Sequence, residues 1–196
     1  MNFLAHLYLS GDHQGIAVGN FIGDFVKGAE IFNYPHSIQE GIRLHRAIDE
    51  FTDSHETVLK SKKRLRKRHS HYAPVIVDIF YDHYLAALWS EYHDEKLHSF
   101  AQRNYQLLAN HEEFLPPKTK HMLPFMVEQD WLTSYAEIDG IRRVMQGMSR
   151  RSSFANKIDS SVEDLLKDYD DYKSEFREFF PDLIKFSESY LNKKSG

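Results

Sequence analysis

His45, Asp49 and Asp53 stand four residues apart within GIRLHRAIDEFTD at positions 41–53, a spacing that turns all three toward one side of a helix. At about 100° per residue they share a stripe with Ile42, while Leu44, Ile48 and Phe51 fill the adjoining face. The ionisable groups therefore lie at the edge of an apolar face. A carboxylate there needs a partner, because an unpaired buried charge is costly. One partner is a metal ion; the other is a local His–Asp hydrogen bond. The same situation recurs in three more segments. His6 interrupts the apolar start MNFLAHLYLS, and Asp24 lies in IAVGNFIGDFV. Asp78 and Asp82 share one face of a helix with Val75, Leu85, Ala86 and Trp89, and His83 follows Asp82. Carboxylates with one or two imidazoles suit Mn²⁺, Mg²⁺ or Fe²⁺ better than a structural zinc. Such an ion lowers the pKa of a bound water and clamps a phosphoryl oxygen, which is the chemistry of phosphate-ester hydrolysis.

The elements that must position these groups read as helices. Ser37 and Glu40 form a capping-box pattern, predicting a helix over about 37–52. Asp53-Ser54 offers an N-cap for a helix over 55–69. Pro74 sits near the start of the next, which runs to about 92. Further helices are expected over 96–111, 118–127, 130–136 and 138–148. Ser160 and Glu163 repeat the capping-box pattern, and Leu165, Leu166, Tyr169, Tyr172, Phe176 and Phe179 keep helical spacing to about 180. Pro181 opens a last helix. Residues 1–9 read as a short strand or a helical turn. The expectation is a single all-α domain spanning 1–196, with roughly eight to ten helices and short connections.

Composition narrows the function. The chain has 196 residues and a formal net charge of −4, so it is no general polyanion binder. It lacks cysteine, which excludes disulfides and thiolate metal sites and leaves His, Asp, Glu and water as ligands. No leader or membrane span is read at the N-terminus, and a cytoplasmic protein is expected. The charge is uneven: seven Lys and Arg crowd positions 60–68, with Leu59 and Leu65 as a thin apolar face. That helix is expected to project from the body. Its run admits three readings: a solvated face, a nucleic-acid contact, or a dock for an acidic protein.

MNFLAHL, GNFIGDFVKG at 19–28, GIRLHRAIDEFTD and the Asp78…Tyr81-Asp82-His83-Tyr84-Leu85 run, with QDWLTSYAEIDGI at 129–141 and GMSRR at 147–151, resemble acyl carrier protein phosphodiesterases in order and over nearly the whole chain. That family looks like a divergent, helical, metal-dependent branch of the HD phosphohydrolases. The resemblance implies removal of 4′-phosphopantetheine from a serine of holo-acyl carrier protein, with Mn²⁺ as the favoured metal. The chain departs from the adjacent His-Asp of the usual HD pattern. His45 and Asp49 are a turn apart, and Asp82-His83 has reversed order and diverges by about 100° on a helix. Carried over, the metal set is His6, Asp24, His45, Asp49 and Asp78. Asp82 is a ligand or a water-orienting base, and His83 a supporting group or a general acid for the leaving serine. Arg46 and Arg150 neutralise phosphate oxygens or form surface salt bridges. Because acyl carrier proteins are small and acidic, the resemblance favours docking for the basic run, through Lys63, Arg64 and Lys67, over nucleic acid. Trp131 and Tyr135 line a cleft for the pantetheine arm or belong to the core. Two other functions remain in view: an HD-like phosphohydrolase of a nucleotide or other small phosphate ester, and a non-catalytic helical adaptor.

Overall fold

The computed structural model describes residues 1–151 and 157–193. All regular structure among them is helical, as expected. The helices are α1 Phe3–Tyr8, α2 Gln14–Ile22, α3 His36–Ser54, α4 Glu56–His69, α5 Ala73–Ala87, α6 Leu97–Asn110, α7 Pro117–Glu128, α8 Trp131–Ser134, α9 Ile138–Arg151, α10 Ser161–Lys167 and α11 Tyr169–Asn192. Short 3₁₀ turns punctuate the connections, including Gly23–Phe25 after α2. One apolar cluster runs through α1, α2, α3, α5 and α11 and on into α6 to α10.

Helices α2 and α3 cross at two glycines. A Cβ on Gly19 would overlap the Ile38 carbonyl, and one on Gly41 the Ile16 carbonyl. Only hydrogen at both positions lets the backbones come this close. The contact brings the end of α2 and the turn carrying Asp24 against the His45 face of α3. Gly15, Gly19 and Gly23, each of which meets α3 where a Cβ would stand, are therefore the footprint of this crossing.

Several element boundaries differ from expectation. Helix α3 starts from Pro35 as N-cap, so Ser37 falls inside the first turn and makes no cap bond; Glu40 instead pairs with Arg43. At α10 the Ser160 hydroxyl bonds Lys157 O, because residues 158–160 already form a helical turn. Helix α4 is capped by His55, whose Nδ1 accepts from the Thr57 N–H at 3.3 Å, while Asp53 pairs with Lys62. The break expected at Pro181 lies at Asp168, and α11 runs through the proline. Removing one backbone N–H is offset there by burial of Phe176, Phe179, Phe180 and Leu183 on both sides of it; Phe176 and Phe180 stack at 4.9 Å.

Helix α4 does not project. Val58, Ser61, Lys62, Leu65 and His69 are buried against the body. Its cations find acids on α10 and α11. Arg64 bonds both oxygens of buried Glu175, at 3.0 and 2.7 Å, and lies over the Tyr172 ring at 4.6 Å. Lys60 also reaches Glu175, and Arg68 and His69 both reach Asp164 at 2.7 Å. Glu175 further accepts from Ser61, which meets the Tyr81 hydroxyl at 2.8 Å.

Candidate metal centre and the cleft beside it

Three of the expected ligands converge. His6 of α1 and His45 of α3 stack face to face, ring centroids 4.0 Å apart and 19° from parallel. His6 Nε2 lies 3.3 Å from Asp49 Oδ1, and His45 Nε2 lies 3.2 Å from Asp49 Oδ2. One donor atom from each of His6, His45 and Asp49 falls within 4.8 Å of the others. Asp24 joins from the turn after α2, its Oδ1 3.3 Å from His45 Nε2. A Cβ on Gly23 would overlap the His45 ring, so this turn also closes over the imidazole through a glycine.

The outer partners fix which nitrogen faces the cluster. His6 Nδ1 is 2.7 Å from Asn20 Oδ1, and His45 Nδ1 is 2.8 Å from the Asn20 carbonyl. An amide oxygen and a carbonyl oxygen only accept, so both imidazoles carry their proton on Nδ1 and point Nε2 inward. Asn20 is itself locked, its amide donating to His6 O and Ser10 Oγ. His6 Nε2 is buried and makes no hydrogen bond among the described residues. Two inward nitrogens beside a carboxylate, each imidazole held from behind, form a donor set that fits a divalent cation.

The electrostatics agree. Burial and the neighbouring His45 lower the pKa of His6. Burial alone would also lower His45, but Asp24 and Asp49 outweigh it and raise its pKa to about 9. Burial opposes ionisation of Asp49, yet His45, His6 and the Met1 amine hold its carboxyl well below the usual range. The hydrogen bond from His45 lowers Asp24 likewise. Without a metal, the carboxylates recruit a proton onto His45.

The other expected site residues lie apart from this trio. Asp78 pairs with the Met1 amine at 3.0 Å, which also reaches Asp49 at 3.7 Å. Asp82 is fully buried and accepts the backbone N–H groups of Asn2, Leu4 and Ala5 at 3.1, 2.8 and 3.4 Å. It therefore caps α1, the helix that carries His6. Burial pushes its carboxyl up to about 7 against the pull of the amine and these donors. His83 spends both ring nitrogens away from the cluster, on Tyr135 O at 2.8 Å and Tyr169 Oη at 2.9 Å. Arg46 is exposed and donates to Val26 O at 3.1 Å, beside the turn that carries Asp24. Of the three expected docking cations, Arg64 is bound to Glu175, whereas Lys63 and Lys67 are exposed. Asp53 is occupied by Lys62. Asn20 is the positioning residue that sequence reasoning missed; its one signal was an amide amid apolar residues in GNFIGD.

A cleft of about 720 Å³ opens beside the cluster. Asn2 and Asp24 line one part of it, and Ile79, Met122, Trp131, Tyr135 and Met148 line others. A second hollow of about 420 Å³ shares Gln129, Trp131 and Val144 with it and reaches Arg143 and Arg150.

Known proteins match this chain along nearly its full length. The family model described as acyl carrier protein phosphodiesterase matches residues 1–183. The acyl carrier protein phosphodiesterase of Klebsiella pneumoniae strain 342 is 32% identical over 190 residues, covering 96% of this chain and 98% of that protein. Its namesake in Photorhabdus laumondii is 30% identical over 190 residues, covering 96% of each. That of Enterobacter sp. strain 638 is 32% identical over 185 residues, covering 94% of this chain and 96% of that protein. No solved structure matches. The chain belongs to the acyl carrier protein phosphodiesterase family.

Proposed function

We propose that this protein hydrolyses the phosphodiester that joins 4′-phosphopantetheine to a serine of holo-acyl carrier protein, releasing apo-carrier, with a divalent ion at His6, His45 and Asp49. The observation that carries the reading is the convergence of those three groups next to a cleft large enough for an extended organic arm. An ion held there supplies a Lewis acid that activates water and polarises a phosphoryl oxygen. The family resemblance favours Mn²⁺, and two imidazoles with carboxylates also admit Fe²⁺ or Mg²⁺.

The chain's own residues do the rest. Asn20 fixes the tautomers of both histidines, so their lone pairs need no reorientation when the site loads. Asp24 sits at the open side, its side chain 71% exposed, where it can complete the ligand set or accept a proton from attacking water. Arg46 stands beside that turn and offers positive charge to the phosphate. Asp82 holds the N-terminus of α1 and with it the position of His6. No helix among the described residues is long and apolar enough to cross a membrane, and we place the activity in the cytoplasm with its carrier substrate.

Incubating the protein with holo-carrier and Mn²⁺, then weighing the carrier by mass spectrometry, tests the reading. Apo-carrier should accumulate only when the divalent ion is present. A carrier left intact with Mn²⁺, Mg²⁺ and Fe²⁺ alike would overturn it. Cleavage of a nucleotide instead would make the protein a small-ester phosphohydrolase, and protein that retains no metal would make it an adaptor.

A further inference from the structure

Helix α4 divides its cations between the inside and the outside of the molecule. Lys60, Lys62, Arg64 and Arg68 meet Glu175, Asp53 and Asp164. Lys63, Arg66 and Lys67 are exposed and make no ion pair among the described residues. Spaced at i, i+3 and i+4, these three share one face of the helix. Leu59, 43% exposed, lies one turn before Lys63 on the same face. Glu56, the only acid of α4, is a turn further back. Acids also bound the face at its side, where Asp168 and Asp171 approach Arg64 at 3.9 and 3.8 Å.

This face borders the ligand cluster by two routes. Asp53 lies one turn beyond Asp49 on α3 and is bonded to Lys62, and Arg66 follows one turn beyond Lys62. By the other route, Asp78 shares the Met1 amine with Asp49. Pro74, one turn before Asp78, lines a hollow of about 370 Å³ together with Arg66, Ser70 and His71. Val75, next in the chain, lines the cleft. Ser70 turns the chain at this hollow with φ 48° and ψ −120°, a backbone that glycine adopts readily and serine rarely. Such conformations gather where a molecule is used.

We propose that Leu59, Lys63, Arg66 and Lys67, with the turn at Ser70, dock the acidic body of the carrier. The inference rests on the phosphodiesterase reading and adds to it the surface that selects the protein substrate. The scissile phosphate is bonded directly to a carrier serine, so the carrier body must lie at the metal end of the cleft. The α4 face meets that end through Asp53 and Pro74. Opposite charge steers and orients the encounter, and Leu59 adds an apolar contact. Three cations bounded by Glu56, Asp168 and Asp171, on a chain of net charge −4, fit a compact acidic patch better than an extended nucleic-acid backbone.

Calorimetry with apo-carrier, the protein product of the reaction, reads docking without turnover. Arg66→Glu, and Lys63→Glu with Lys67→Glu, should each weaken it about tenfold and flatten its salt dependence. Leu59→Ser should weaken it about threefold at low and high salt alike. Arg143→Glu on α9 makes the same charge change as Arg66→Glu and should leave affinity within about twofold. Unchanged thermal unfolding shows that each variant is folded. The proposal is overturned if the wild type does not bind apo-carrier, if both charge reversals on α4 bind it like the wild type, or if Arg143→Glu weakens it as much as Arg66→Glu. It is also overturned if duplex DNA binds more tightly than apo-carrier and is lost on Arg66→Glu, which would make the face a nucleic-acid contact. Turnover of holo-carrier by the wild type is read separately. Its absence with apo-carrier still bound removes the phosphodiesterase reading and leaves the dock, whereas turnover with an unchanged KM in both α4 variants does the reverse.

Discussion

At the scale of single residues, the site depends on how one asparagine is used twice. The Asn20 side chain holds His6 and its carbonyl holds His45, so a substitution removes one of the two supports and leaves the other. Asn20→Ala should weaken Mn²⁺ binding by about ten- to a hundredfold, the usual cost of losing an outer partner of a ligand. Calorimetric titration measures it, and wild-type affinity would mean that His6 needs no orienting group. The protonation of His45 gives a second expectation. Its pKa is raised to about 9 in the metal-free protein, and an ion must displace that proton. Affinity should therefore rise with pH up to about 9, by about tenfold per pH unit if one proton is released. An unshifted histidine, near its reference pKa of about 6.5, would give a plateau above neutrality. Titrations at mildly acidic, neutral and mildly alkaline pH separate the two, and a flat profile would contradict His45 as a ligand. The trio of His6, His45 and Asp49 was legible in the sequence, because their spacing and apolar flanks marked them as inward. Asn20 was not, because its importance lies in a carbonyl and an amide brought against two rings by a helix crossing.

At the scale of elements, charge was harder to read than periodicity. Helix α4 presented a solvated, basic run in the sequence, yet Arg64 and Lys62 turn inward to acids. Asp53 lies nine positions away and Glu175 more than a hundred. Local sequence cannot show such distant compensation. Arg64→Ala should then act on stability, leaving Glu175 buried beside a single exposed lysine, at a cost of about 3 kcal/mol in chemical denaturation. A variant as stable as the wild type, with a raised KM for the carrier, would return Arg64 to the docking surface. The capping boxes failed for a related reason. Ser37 and Ser160 both had the pattern, but Pro35 starts α3 earlier, and Ser160, although the N-cap of α10, gives its hydroxyl to Lys157 O in the turn at 158–160. Asp82 shows the reverse case. It was expected at the chemistry and instead accepts three backbone N–H groups at the start of α1. Asp82→Ala should cost about 1–3 kcal/mol of stability through those orphaned donors and weaken metal binding through His6. Unchanged thermal stability would remove its capping role.

At the scale of the whole molecule, the all-helical architecture followed from helical periodicity along the chain, whereas the cleft did not. Its walls come from α1, α5, α7, α8 and α9, elements far apart in sequence, and Trp131 and Tyr135 were equally readable as core. In the structure, Tyr135 is buried and lines the cleft at once. The fold places this cleft against a pair of imidazoles and a carboxylate that are otherwise hard to keep together, and the family relationship gives the arrangement a substrate. The central claim joins the cation site to the cleavage of the carrier's arm. Electron paramagnetic resonance of Mn²⁺ counts the ion bound by the wild type, His45→Ala and Asp49→Ala, and mass spectrometry of holo-carrier incubated with the same samples counts turnover. The account predicts a stoichiometric ion and apo-carrier production in the wild type, with both lost together in each variant. Apo-carrier produced at the wild-type rate by a variant that holds no ion would contradict it.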